Sequence, residues 1–219
     1  MVQAMRVTAE TKQATRKAIL ETAQRLFAQQ GFAATTTRDI ARAAGIGVGT
    51  LFNYFSTKES VALGLVNDAW ARASEAFAEG PPEASSLEEE LFAHVAALLR
   101  KLKPYRKYLP ALLETSLSPA ACQEIPGQPS LRAVHLEAVG QIAARHGQLE
   151  SLSPVALQLY WTLLTGVLAF WSADASPRQE DTLALLDQSL AMFALWLTSA
   201  GQDPKQSCES DQQASPKKG

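Results

Sequence analysis

The chain has 219 residues, 47% of them apolar and 19% charged, with a net charge of −2, which is enough apolar material for a core and excludes disorder over most of its length. Two cysteines, Cys122 and Cys208, exclude a disulfide framework and a CxxC zinc site. No membrane span is expected, and no signal peptide, because Arg6, Glu10, Lys12, Arg16 and Lys17 break the first apolar stretch; the predicted location is the cytoplasm.

Helix signals follow one another along the chain. From about Thr11 to Gln30, the residues Ile19, Leu20, Ala23, Leu26 and Phe27 fall on one helical stripe, and Gly31 supplies the stop. Thr36-Thr37-Arg38-Asp39 is a capping-box variant that opens a short helix ending near Ala44-Gly45. A second short helix is predicted from about Val48 to Phe55. Ser56-Thr57-Lys58-Glu59 forms another capping box and starts a longer helix to about Glu79. Gly80-Pro81-Pro82 is a hard break and marks the domain boundary. Beyond it, Ser86 with Glu89 caps a helix to Lys103, and Pro104 begins the next at its first turn. The segment 118–129, with its prolines, is read as a loop, followed by a helix from about Ser130 to His146. Ser153-Pro154 and Ser176-Pro177 open the last two helices, and the polar sequence from Gly201 onward is read as a disordered tail. No strand pattern, repeat or heptad run is visible, so the predicted class is all-α. The expected organisation is a head over 1–57, a connecting helix over 58–80, a body over 81–200 and a tail over 201–219.

The head carries the most specific signal. Residues 1–72 hold nine Lys/Arg against five Asp/Glu, a net +4, whereas the remainder holds eleven against seventeen, a net −6. A basic front end on an acidic body suits a nucleic-acid reader with a separate regulatory part. The two short helices are separated by Gly45-Ile46-Gly47, with Gly45 placed for a positive φ. Ile40, Ala41 and Ala44 face inward from the first, and Leu51 and Phe55 from the second, which is the layout of a helix-turn-helix. Gly47, Val48 and Gly49 let the backbone approach a duplex closely. Thr50 and Asn53 point outward toward base edges, Arg38 is placed for a guanine, and Tyr54 and Lys58 for phosphates. Gly45-x-Gly47-x-Gly49 lacks the GxGxxG spacing and a preceding strand, so it is no phosphate-cradling loop.

The strings Phe27-Ala28-Gln29-Gln30-Gly31-Phe32, Thr35-Thr36-Thr37-Arg38-Asp39-Ile40-Ala41, Ala44-Gly45-Ile46, Gly49-Thr50-Leu51-Phe52 and Tyr54-Phe55-Ser56-Thr57-Lys58-Glu59 resemble the N-terminal domain of TetR-family transcriptional regulators. The resemblance covers roughly residues 12–65. It implies a three-helix DNA-binding domain joined by a fourth helix to a ligand-binding, dimerising body, with DNA contacts at Thr36, Thr37, Arg38, Thr50, Asn53, Tyr54 and Lys58. Phe52 departs from the pattern, since the family usually places there a Tyr whose hydroxyl bonds a phosphate.

In the body, the helix from Pro154 to Trp171 is apolar nearly all round and must be covered on both sides. Together with the last helix it is expected to form a four-helix homodimer seam through Tyr160, Leu164, Val167, Leu186, Leu190, Phe193 and Leu197, with Leu185, Met192 and Trp196 nearer the other side and Gly166 allowing close approach. A pocket implied by the resemblance is expected among Phe92, His94, Tyr105, Tyr108, Leu112, Thr115, Trp161, Thr165 and Trp171, apolar with a few polar groups. The three histidines His94, His135 and His146 lack ligand spacing, so neither metal nor cofactor is expected, and Cys122 has no basic cluster to activate it. The expected partners are a palindromic double-stranded DNA operator, a small, largely apolar effector and a second copy of the chain. The same sequence signature fits a DNA-binding dimer that answers to a protein partner or acts as an activator. A solid body would favour that reading, and an apolar cavity the sensor. A helical enzyme would need a nucleophile–base pair or paired carboxylates, and none stands at readable spacing.

Overall fold

The computed structural model describes residues 8–80, 86–115 and 130–200; the loop expected over 118–129, both cysteines and the tail expected from Gly201 lie outside them. Among the described residues all regular structure is helical: α1 (Ala9–Gln30), α2 (Thr37–Ala43), α3 (Val48–Phe52), α4 (Lys58–Glu79), α5 (Leu87–Leu102), α6 (Leu109–Thr115), α7 (Leu131–Arg145), α8 (Pro154–Ala173) and α9 (Glu180–Ala200). Tight 3-10 turns at Lys103–Tyr108 and Pro177–Gln179 precede α6 and α9.

The helix starts follow cap chemistry, with three departures from the sequence reading. Thr36 accepts from the Asp39 amide while Asp39 accepts from the Thr36 amide, closing the predicted box on α2. On α4 the box forms one residue later than predicted, between Thr57 and Ser60 rather than Ser56 and Glu59. Either register offers a hydroxyl cap, and the Thr57–Ser60 pair closes both reciprocal bonds with short side chains. The second departure is α3, which ends at Phe52. The amides of Asn53 and Tyr54 turn back to the carbonyls of Thr50 and Leu51, tightening the last turn before Phe55. The third is at α9, where Asp174 is the anchor. Its carboxylate accepts from the Ser176 amide and from the amide and hydroxyl of Thr182, and Arg178 and Gln179 take positive φ between them.

α4 runs through both halves. Its first turns bury Val61, Ala62, Leu65 and Val66 beside α1, α2 and α3, whose core residues are Ile19, Leu20, Phe27, Ile40, Leu51 and Phe55. A Cβ on Gly64 would stand 3.0 Å from both Leu20 and the Phe55 ring, so α1 and α4 meet here so closely that any larger residue would push these side chains aside. The later turns bury Ala69, Trp70, Ala73 and Phe77 against α5 and α7. The Trp70 indole N–H donates to Nδ1 of the fully buried His135 at 3.2 Å. An indole is only a donor, so His135 carries its proton on Nε2 and donates it to the Tyr160 hydroxyl at 3.1 Å.

A second joint ties head to body. Tyr108 packs its ring 5.3 Å from those of both Phe27 and Phe32. Two residues earlier, Arg106 donates to the carbonyls of Trp171 and Asp174 at the end of α8. The 3-10 turn therefore spans from the head to the α8–α9 corner.

By length and composition α8 and the 177–199 segment are each apolar enough to cross a membrane, contrary to the reading of the sequence. Both pack into the body: α8 lies against α6 and α9, and α9 against α5. Each keeps one apolar flank exposed.

Trp70→Phe removes the indole donor to the buried His135 nitrogen and shortens a core side chain. It should lower stability by about 2–4 kcal/mol, read from urea midpoints at pH 7.5.

Candidate nucleic-acid interface

The head presents a surface built from the start of α2, the turn at Gly45, and α3. Gly45 sits at φ +70°, which lets the Ile46 amide return to the Ala41 carbonyl and sets α3 across α2. Ile40, Ala41 and Leu51 are fully buried at this crossing, as the pattern predicts, while Ala44 is half-buried. With its apolar side committed, α3 leaves Gly49, Thr50, Phe52 and Asn53 exposed. The Asp39 carboxyl is held below its usual range, first by hydrogen bonds from Thr36 and then by Arg42, whose guanidinium lies 2.5 Å away. Arg38 is exposed and makes no hydrogen bond or ion pair among the described residues, so its guanidinium is free to meet a ligand.

Two of the expected contact residues serve internal roles as well. Thr36 is the α2 cap, and its hydroxyl also donates to Asp39. Lys58 is turned inward: its ammonium donates to the Phe32 carbonyl at 2.8 Å and the Ala33 carbonyl at 3.3 Å, and stands 4.4 Å from the Phe32 ring centre. It is a clamp between α4 and the α1–α2 turn, not a free cation. Thr37 and Tyr54 are half-buried, and Gly47 is exposed at the start of α3. A Cβ on Gly49 would meet nothing within 4 Å, so no intramolecular packing requires glycine there. Of the basic residues on α1, Arg16 is paired with Asp68 at 3.2 Å and Lys17 with Glu21 at 3.8 Å.

Residues 19–65, which contain this whole surface, match the family described as bacterial regulatory proteins of the tetR family. The match is confined to this N-terminal domain, which is similar to that of tetR-family regulators. Among curated relatives, the repressor KstR2 of Rhodococcus jostii is 40% identical over 81 residues, 35% of this chain and 40% of that protein. The regulator TtgR of Pseudomonas putida is 38% identical over 84 residues, 36% of this chain and 40% of its own length. The chain thus matches well under half the length of these relatives. The fold extends further. The Thermus thermophilus TetR-family repressor FadR, solved with lauroyl-CoA, superposes over 81% of this chain and 92% of its own with TM-score 0.61 at 22% identity. A TetR regulator from Rhodococcus sp. RHA1 does so over 83% and 97% with TM-score 0.60 at 21% identity.

The effector residues expected from the family resemblance do not converge. His94 and Trp161 lie around His135, with the His94 and His135 rings stacked at 5.0 Å and the Trp161 ring 6.1 Å from His135. Tyr105 and Tyr108 stand instead at the head–body junction, Tyr105 on a cleft of about 580 Å3 lined by Arg16, Lys17, Asp68 and Arg72. Trp171 is held at the end of α8 by Arg106 and Gln179, and the Thr165 hydroxyl is spent on carbonyls of its own helix. Leu112 is buried in the general core and Phe92 half-buried at its edge; the Thr115 side chain lies outside the described ones. Trp70, His135 and Tyr160 complete the central cluster, and sequence spacing alone does not associate them.

The dimer residues need a similar correction. Tyr160, Leu164, Val167, Leu186, Leu190, Phe193 and Leu197 are all 3% exposed or less within one subunit. Five of them line a void of only about 10 Å3 between α5, α8 and α9, room for about one water. The apolar side chains left exposed on these helices are Val155, Leu159, Phe170, Leu183, Met192, Leu195 and Trp196.

His94 is 2% exposed and, among the described residues, neither ring nitrogen has a hydrogen-bond partner. Burial pushes its pKa down to about 4 and that of His135 well below 6.5. Glu90 lies one turn before His94. Burial pushes its carboxyl up, but hydrogen bonds from Arg145 and His146 outweigh this and hold it below its usual range. Both core histidines are thus neutral when folded and bind protons on unfolding. Their contribution is complete above about pH 6.5 and is lost as pH falls from 6.5 toward 4, at up to about 1.4 kcal/mol per pH unit for each. Urea midpoints at pH 7.5, 6.0 and 5.0 should fall accordingly. His94→Phe, which removes two unsatisfied nitrogens, should be at least as stable at pH 7.5 and show a shallower decline. Gly49→Ala should raise stability by up to about 1 kcal/mol through helix propensity, yet weaken DNA binding in a gel-shift assay, because its methyl stands on the duplex side.

Proposed function

We propose that this chain is a homodimeric transcriptional repressor that binds a palindromic operator and is released by a small, largely apolar effector. The observation that carries the DNA reading is the outward face of α2–α3, where Arg38, Thr50 and Asn53 stand exposed on a scaffold fixed by buried Ile40, Ala41 and Leu51. Arg38 recognises a guanine edge, Asn53 an adenine, and Thr50 a neighbouring base. Amides and hydroxyls at the starts of α2 and α4 hold phosphates, and Lys58 fixes the α4 start in place.

Dimerisation follows from the exposed flank of α8 and α9. On α8 the residues Val155, Leu159, Thr162, Gly166, Ala169 and Phe170 recur at helical spacing on the open side, and Met192 and Leu195 on α9 are each 70% exposed. Small side chains in the middle of the α8 stripe allow close approach of a symmetry mate, and apolar ones at its ends supply burial. Two heads then address half-sites one helical turn apart. The lauroyl chain of the lauroyl-CoA in the Thermus thermophilus protein of this fold supports an effector with an apolar part. Its polar group would find His94 without a partner. Binding that favours a head spacing mismatched to the operator would release the DNA. The close packing of α5, α8 and α9, which leaves a void of only about 10 Å3 between them, favours a second reading, in which a protein partner at the body replaces the effector.

Selection from a random duplex library should yield an inverted repeat. Arg38→Ala should lose about 1–3 kcal/mol of affinity and relax preference at one position per half-site. Leu195→Glu should give a folded monomer by sedimentation velocity and weaken operator binding at least about tenfold. Native mass spectrometry of the purified dimer separates the two readings: an added mass of a few hundred daltons released on denaturation supports the effector, and a bare dimer unresponsive to apolar molecules supports the partner.

A further inference from the structure

Phe52 has no hydroxyl and no charge, yet it stands 48% exposed on α3, and no ring or cation among the described residues packs against it. Its direction follows from helix geometry. Leu51, fully buried, points α3 at the core. At about 100° per residue, Gly49 and Asn53 then point almost directly away, and Thr50 and Phe52 flank them on opposite sides. Asn53 continues the helical backbone, with φ −69° and ψ −19°, so the same geometry applies to it.

On a helix lying in the major groove, the side opposite the core meets the groove floor and the flanks meet its walls. Gly49 contributes no side chain between helix and floor, so the flanks descend. At the wall, the thymine C5-methyl is the apolar base substituent that lies nearest its own sugar–phosphate strand. Hydrogen-bonding edges offer a phenyl ring nothing, whereas a methyl group buries apolar area against it.

We propose that Phe52 is a specificity-determining residue that reads one thymine in each half-site through its 5-methyl group. This rests on the operator-binding reading and adds to it a base contact made without a hydrogen bond. The recognition helix then reads a bidentate edge with Asn53 on the floor and a methyl group with Phe52 on the wall. Thr50 serves the opposite wall.

Deoxyuridine isolates the contact, because it pairs as thymine does and lacks only the methyl. The operator is first obtained by selection with the full-length wild-type chain. Each thymine of the half-site is then replaced singly, and symmetrically, by deoxyuridine, and affinity is read by fluorescence anisotropy at fixed salt. One position should weaken wild-type binding about three- to fivefold per half-site, the value of one buried methyl. Phe52→Ala should bind the thymine and uracil duplexes equally, and Phe52→Tyr, which keeps the ring, should still discriminate. Phe52 is outside the core, and circular dichroism checks that the variants fold. Equal binding of all uracil duplexes by the wild type, a half-site without a fixed thymine, or discrimination that survives in Phe52→Ala overturns the proposal while leaving operator binding intact. A selection that returns no preferred sequence overturns the operator reading, and this proposal with it.

Discussion

The structure depends on one constraint: α4 is a single 22-residue helix that both cores share. Its N-terminal turns complete the helix-turn-helix domain, and its C-terminal turns complete the body. A continuous α-helix transmits rotation and tilt along its axis, so neither core can repack without moving the other. Gly64 and Trp70 mark the two commitments. At Gly64 the helix is pressed against Leu20 of α1 and against Phe55, where a Cβ would force these side chains to shift. At Trp70, six residues on, it is hydrogen-bonded into the centre of the body. The 3-10 turn at Lys103–Tyr108 gives a second path between the same two parts, from Phe27 and Phe32 through Tyr108 and Arg106 to the end of α8. Two attachments fix orientation where one leaves a hinge.

The body holds an unusual amount of polar chemistry for its burial. His135 is fully satisfied, with its tautomer set by Trp70 and its remaining proton on Tyr160. His94, stacked on it, finds no hydrogen-bond partner among the described residues. An apolar residue there would avoid a desolvation cost of order 1–3 kcal/mol per nitrogen, so packing gives no reason for a histidine. Glu90, one helical turn before His94, is hydrogen-bonded by Arg145 and His146, so the carboxylate near this ring is offset by the guanidinium.

What the sequence alone determined is local. Helix starts were legible wherever a hydroxyl or carboxylate preceded an apolar stripe, as at Thr36, Ser86, Ser130 and Ser153, because a cap is made by residues within one turn of each other. The head was legible as a whole, since Ile40, Ala41, Leu51 and the positive φ of Gly45 are separated by only a few residues and leave one way to cross two short helices. The tertiary structure decided everything set by partners distant in sequence. A helix that is apolar all round gives no sign of which side meets its own subunit, so the side assigned to the dimer is core, and Met192, Leu195 and Trp196 hold the open flank. Lys58 looks like a phosphate ligand until its neighbour 26 residues back, the Phe32 carbonyl, is found to hold it. Tyr108 looks like a pocket residue until Phe27 and Phe32 of the head are found beside it. Periodicity reports that a side chain is apolar and which neighbours share its stripe; only the packed chain reports what covers it.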